Sequence, residues 1–202
     1  MSYSFKDFYR DLMDVVFLNL IFLGTVLLGA LITFGAAFKA LFYVSCQIIN
    51  RDKPNYVFKS FFKSFKESFW VSTIIWLITA MLGFLLFLIF RYAVDNNITV
   101  LLISVLVTLY LTVIYIIYLY AMLAIFKSES IFQLLKNAFI MAGVNVMTTI
   151  KLLLSLVFVI ALFLLFSGTI LFSIGLFGIL AMFHLKKVFH PYVKQYEIHS
   201  EN

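Results

Sequence analysis

Inside a membrane, catalysis or ion movement needs an ionisable side chain set within an apolar span, so the charged residues come first. The nine acids are Asp7, Asp11, Asp14, Asp52, Glu67, Asp95, Glu129, Glu197 and Glu201, and each lies outside the long apolar runs. Paired-carboxylate catalysis and a carboxylate proton relay therefore have no candidates. Among the bases, Lys39 stands in apolar sequence, GAAFKALFY. An ammonium there could hold an anionic substrate group or a lipid phosphate, but at the inner end of a span it is expected to snorkel toward water. Arg91 and Lys151 close spans and read the same way. Lys39 and Asn19 are the candidate buried polar residues.

The other chemistry-bearing types are no better placed. His184, His190 and His199 are six and nine residues apart, so no two form a metal-binding i, i+4 pair. The one cysteine, Cys46, excludes an internal disulfide and a multi-cysteine metal cluster, and reads as a small packed residue. Ser72, Thr73, Thr108, Thr112 and Ser155 lack a Gly-x-Ser-x-Gly elbow and are expected to bond within or between helices. The glycines form no phosphate-cradling loop. Tyr110, Tyr115, Tyr118 and Tyr120, with Trp70, read as an aromatic belt, a sugar-stacking platform being the sharper alternative. No catalytic, cofactor-binding or metal-ligating residue is expected, and the chain is read as non-enzymatic.

The elements that position these residues follow from composition. Of 202 residues, 64% are hydrophobic and 12% charged, with a mean hydropathy of +1.10. Soluble domains average about 45–50% apolar and 25% charged, so a water-soluble fold is excluded. Charge-free runs cover Val15 to Phe38, Phe69 to Phe90, Asn96 to Phe126 and Leu152 to Leu185. The last would reach about 50 Å as one helix, too long for a bilayer core of about 30 Å. A reversal is expected at Ser167-Gly168, or else nearer Gly175 or Gly178. The expectation is an all-α polytopic protein with about five spans, near residues 15–34, 70–90, 98–119, 151–166 and 169–184. Acidic residues in the head argue for retention of the first run as a span rather than cleavage as a signal.

Lysine and arginine favour cytoplasmic segments. Lys39, Arg51, Lys53, Lys59, Lys63, Lys66, Lys127, Lys136, Lys151, Lys186, Lys187 and Lys194 fall on one side of this topology, against Lys6, Arg10 and Arg91 on the other. The C-terminus is accordingly placed inside, in a bacterial cytoplasmic membrane, with the N-terminus outside. The alternative is a tight two-helix hairpin over Val15 to Asn50 with the N-terminus inside. Basic residues bordering apolar spans suit lipid headgroups, so the net charge of +6 calls for no nucleic-acid partner.

Two short segments are amphipathic at helical period. In residues 56–69, Phe58, Phe61, Phe62 and Phe65 oppose Lys59, Lys63 and Lys66, as suits a helix in the inner headgroup layer contacting lipid or a partner. A weaker copy occupies residues 130–142. Each is followed by two spans, which suggests a parallel internal repeat of interfacial helix plus helical hairpin.

The runs NLIFLGTVLLGALITFGAAFKALFYV (from Asn19), FFKSFKESFWVSTIIWLI (from Phe61) and LLKNAFIMA (from Leu134) resemble the YesL-like family, bacterial integral membrane proteins grouped as a domain of unknown function. The likeness rests on the Asn-led first span, the Thr33, Gly35, Ala36, Ala37 element and the two amphipathic segments. Ala30 stands near where members carry a proline, leaving Gly29 and Gly35 to permit a bend. The resemblance implies an accessory or regulatory partner of a carbohydrate uptake system, meeting a transporter subunit or a second copy, and carries over no catalytic residue. The alternatives are a small transporter or channel built on the repeat, and an inner-leaflet lipid-binding protein.

Overall fold

The computed structural model describes residues 5–29, 32–50, 57–126 and 130–200. The expected water-exposed turn at Arg51, Asp52, Lys53, Pro54 and Asn55, together with Ala30 and Lys127, lies outside these residues. Among the described residues the chain is helical, without a strand. The helices are α1 (Phe5–Leu28), α2 (Phe34–Asn50), α3 (Val57–Glu67), α4 (Phe69–Asp95), α5 (Thr99–Ile125), α6 (Ile131–Val144), α7 (Val146–Leu165) and α8 (Ser173–Ser200), with a 3₁₀ turn at Ser167–Leu171 before α8. Four segments are long and apolar enough to cross a membrane: Tyr9–Leu28, Phe69–Asp95, Thr99–Ile125 and Val146–Leu165. The all-α polytopic class expected from composition is the one observed.

The reversal expected at Ser167-Gly168 is the 3₁₀ turn, and the stretch 169–184 continues from it into α8. The first run departs from its expected bounds of 15–34. Helix α1 stops at Leu28, and α2 packs back against it. Phe34 meets Phe22 edge-on at 5.8 Å, and the Thr33 hydroxyl donates to the Thr25 carbonyl at 2.9 Å. A Cβ at Gly29 would fall on the Thr33 side chain, so the turn closes because residue 29 has none. Val15 to Asn50 is thus two helices packed on each other, as in the hairpin alternative, with Gly29 and Thr33 at the reversal.

Helix α2 is the centre, packing against α1, α3, α4, α5 and α8. Its small residues Gly35, Ala36, Ala37 and Ala40 are buried beside Leu41, Phe42 and Val44, which lets neighbours approach it from several directions. The distal part of the α4–α5 hairpin reaches beyond this core, with only Leu86, Ala93 and Val105 buried between Leu77 and Leu111. Its hydroxyls bond back one turn, as expected: Thr108 to Ser104 O and Thr112 to Thr108 O, each 2.8 Å.

The element order repeats. A short helix (α3 or α6), a one-residue joint (Ser68 or Asn145), a long helix, a turn and another long helix occur twice. Tyr120 and Tyr118 of α5 reach the first turn of each long helix: Tyr120 donates to Ser72 O in α4 at 3.0 Å, and Tyr118 shares a 3.3 Å hydroxyl contact with Thr149 in α7.

The α4–α5 turn is fixed by its backbone. Asn97 has a φ of 55°, its N–H donates to Val94 O at 3.2 Å, and that of Ile98 donates to Ala93 O at 2.9 Å. This pair of bonds is the Schellman closure, which needs a left-handed residue. Asn97→Gly should leave the thermal midpoint in detergent unchanged or raised, whereas Asn97→Val should destabilise the hairpin by about 1–2 kcal/mol. Equal midpoints for the two variants would contradict this account.

Candidate functional site

The most distinctive chemistry lies where α2 crosses the joint between α3 and α4. The Ser72 N–H donates to Ser68 O at 2.9 Å, so the ladder of α4 starts from the joint residue itself. Ser60, Ser64, Ser68 and Ser72 recur every fourth residue, so they line up along one side of α3 and the start of α4. Lys39 meets this line from α2. Its ammonium donates to Ser64 O and to Ser68 Oγ, both at 3.1 Å, and the residue is 3% exposed. The last turn of a helix presents unpaired carbonyls and a partial negative charge, so a cation is well placed there. Glu67, the last residue of α3, adds its negative charge.

One turn earlier on α2, Gly35 makes the contact possible. A Cβ there would fall on the Ser72 carbonyl oxygen and lie 2.7 Å from the Tyr120 hydroxyl. Three helices therefore meet at a residue without a side chain. Around this contact the hydroxyls of Ser64, Ser72 and Thr73 are buried with no hydrogen-bond partner. The result is a polar seam in an otherwise apolar bundle: one ammonium, a row of serines and a phenol.

Asn19 forms the second buried polar tie. Fully buried on α1, it donates through Nδ2 to Ile170 O at 2.8 Å. Its Oδ1 accepts from the N–H groups of Ile174 and Gly175 at 3.0 and 3.1 Å. These N–H groups belong to the first turn of α8 and have no intrahelical acceptor. A side chain 155 residues away thus caps α8 and fastens the first helix to the last. A Cβ at Gly175 would sit 2.7 Å from Val15 O, so the helices meet backbone to backbone beside the cap.

Several expectations are corrected here. Lys39 does not snorkel, because the end of α3 offers its ammonium acceptors inside the bundle. Tyr118 and Tyr120 are fully buried and act as helix ties rather than as parts of a belt. Tyr115 is half-buried, its hydroxyl 3.4 Å from Leu135 O, while Tyr110 and Trp70 are exposed. On α3 the phenylalanine stripe divides: Phe61 is buried, Phe62 and Phe65 are half-buried and Phe58 is exposed, while Lys59, Lys63 and Lys66 point outward. Phe61 shares its buried face with Val57 and Ser64, because α2 occupies the side where lipid was expected. Lys39 and Asn19 lie at separate places and do not form one site. Cys46 is half-buried on α2.

The four-residue serine period was present in the sequence but was masked by the phenylalanines and lysines around it. The roles of Asn19 and Tyr120 had no local signal, since their partners lie 151 and 48 residues away.

Fold and ties together define an all-α polytopic protein of membrane type, whose buried polar side chains are used between helices. Within that class, the model of a protein family of unknown function, DUF624, matches residues 15–90. The matched stretch runs from α1 through most of α4 and contains Asn19, Gly35, Lys39 and the serine line. No curated protein and no solved structure matches the chain.

Removal of either tie should be costly. Asn19→Ala, which frees two N–H groups and a carbonyl, should lower stability in detergent by about 2 kcal/mol. Lys39→Met, similar in volume but without donors, should cost about 2–4 kcal/mol. Thermal unfolding followed by circular dichroism reads both, and a midpoint unchanged for either variant would show that its tie is not holding the bundle.

Proposed function

We propose that this is a non-enzymatic integral membrane protein of the bacterial cytoplasmic membrane, acting as an accessory or regulatory subunit of a membrane complex. What supports the reading is how the buried polar groups are used. Lys39 is committed to the end of α3 and Asn19 to the start of α8. Both serve to hold helices, which suits a protein that presents surfaces better than one that passes a substrate between its hairpins. The α4–α5 arm, with Ile78, Met81, Phe84 and Val100 exposed, offers a lateral apolar surface to a second membrane subunit. The resemblance to YesL-like proteins directs the choice of partner toward a carbohydrate importer.

The basic residues favour a cytoplasmic C-terminus on this reading. Lys59, Lys63, Lys66, Lys136, Lys151 and Lys187 are exposed. They flank helix ends that meet the last turns of α5: Tyr120 reaches α4, Tyr118 reaches α7, and Phe126 packs on Phe189 of α8 at 5.7 Å. One end of the bundle therefore gathers the positive charge.

Affinity purification of the tagged chain from native membranes in a mild detergent should bring down an importer subunit in fixed ratio. Recovery of the chain alone, under conditions that preserve known importers, would overturn the accessory role. A C-terminal tag accessible to protease in intact cells would separately overturn the orientation.

A further inference from the structure

Helix α3 has three sides: one is covered by protein, one is partly covered, and one is open. At about 100° per residue, Val57, Phe61 and Ser64 form the face buried on α2, and Lys59, Lys63 and Lys66 lie opposite. Phe58, Phe62 and Phe65 fill a flank between the two. This flank continues into the next helix as a row of ring contacts: Phe58 to Phe62 at 4.6 Å, Phe62 to Phe65 at 6.0 Å, Phe65 to Phe69 at 5.3 Å and Phe69 to Trp70 at 5.7 Å.

The row ends on a surface that must face lipid. Trp70 is 75% exposed, and Ile74, Leu77, Met81 and Leu85 are exposed below it at the spacing that puts them on one face of α4, a helix long and apolar enough to cross a membrane. An aromatic flank in line with that face, under a row of lysines, has the arrangement of a helix at the bilayer boundary: rings at the level of the upper chains, ammonium groups at the phosphates. Glu67 is the single acid on α3, so the helix carries a net charge of about +2. Phe58, 56% exposed at the start of α3, extends the apolar contact along the length of the helix.

We propose that α3 lies in the headgroup layer and gathers anionic phospholipid, with Lys59, Lys63 and Lys66 binding the phosphates and the Phe58 to Trp70 row resting on the acyl chains. The surface is built by the fold: α2 takes the Phe61 side and thereby turns the lysines away from the core. Zwitterionic lipid satisfies the aromatic flank equally well, so the lysines supply the preference. This inference is independent of the accessory role.

Trp70 is the natural reporter. The chain has two tryptophans, and the other, Trp76, is half-buried and packs on Phe34 at 4.3 Å. The full-length Trp76→Phe variant is reconstituted in phosphatidylcholine vesicles containing an equal small fraction of chain-brominated phosphatidylglycerol or chain-brominated phosphatidylcholine, and Trp70 quenching is compared. Phosphatidylglycerol should quench as though enriched about tenfold near Trp70, a preference that falls as salt is raised. Replacing Lys59, Lys63 and Lys66 with glutamine should abolish the preference while leaving phosphatidylcholine quenching intact, which also shows that the variant keeps its fold. Equal quenching by the two lipids before substitution overturns the proposal, as does a preference that survives the triple substitution. Absence of quenching by either lipid would show that the aromatic row does not face acyl chains, and overturns it as well.

Discussion

Where water is absent, a polar group must find its partner within the protein, and in this chain that requirement is sharpest at Lys39. Among the described residues it is the one fully buried charged side chain. Its position on Ser64 O and Ser68 Oγ fixes more than a local contact. It sets which side of α3 faces α2, and hence which side carries lysines outward. It also holds the α3–α4 joint against the helix that touches most of the others. Lys39 would be unfavourable at the same depth without the end of α3, and the end of α3 would keep unpaired carbonyls without Lys39.

The same logic recurs at other helix ends, with neutral groups. Neither Ser68 nor Asn145 caps the helix that follows with its own side chain. The beginnings of α4 and α7 are instead held from outside by Tyr120 and Tyr118, and that of α8 by Asn19. At α8 the cap supplied by a neighbouring helix satisfies the end and specifies the neighbour in one step, whereas Tyr120 and Tyr118, bonded to a carbonyl and a hydroxyl, specify the neighbour without capping the end. Apolar packing alone would leave rotations of smooth helices close in energy, because lipid tails solvate leucine about as well as a protein interior does. The small residues of α2 bring the helices close, and the polar ties select one arrangement among the close ones.

The fold was legible wherever the signal was local. Charge-free length marked the helices, the small pair Ser167-Gly168 marked a reversal, and amphipathic spacing marked α3 and α6. The end of α1 was not legible from hydropathy, because the run Val15 to Phe38 stays uncharged straight through the reversal, and the residues flanking it, Leu27, Leu28 and Ile32, are apolar although exposed. The apolar sequence neighbours of Lys39 predict snorkelling, whereas the acceptors that hold it arrive 25 and 29 residues later. Phe61 and Phe58 look alike on a helical wheel drawn against water, and only the presence of α2 separates a core residue from a lipid-facing one. Tyr118 and Tyr120 sit where a belt would put them along the chain, but neighbouring helices cover them, with Phe189 of α8 against Tyr118 and Phe38 of α2 against Tyr120.

The two repeats solve one architectural problem with different chemistry, and the difference bears on where the distinctive residues lie. Each must seat a short helix and the start of a long one against a preceding helix, α2 for the first and α5 for the second. The second uses phenols, Tyr115 toward Leu135 O and Tyr118 against Thr149, whose rings also fill apolar space and tolerate an imperfect partner. The first adds to the phenol of Tyr120 an ammonium, which tolerates none, and at Gly35 a contact that any side chain would disrupt. The demands on residue type are therefore stricter across α2, α3 and the start of α4 than across α5 to α7. The stretch that the family model matches, residues 15–90, contains that stricter set and Asn19 with it. On physical grounds, the first repeat with α1 is the part of this sequence in which the fewest alternative residues would do.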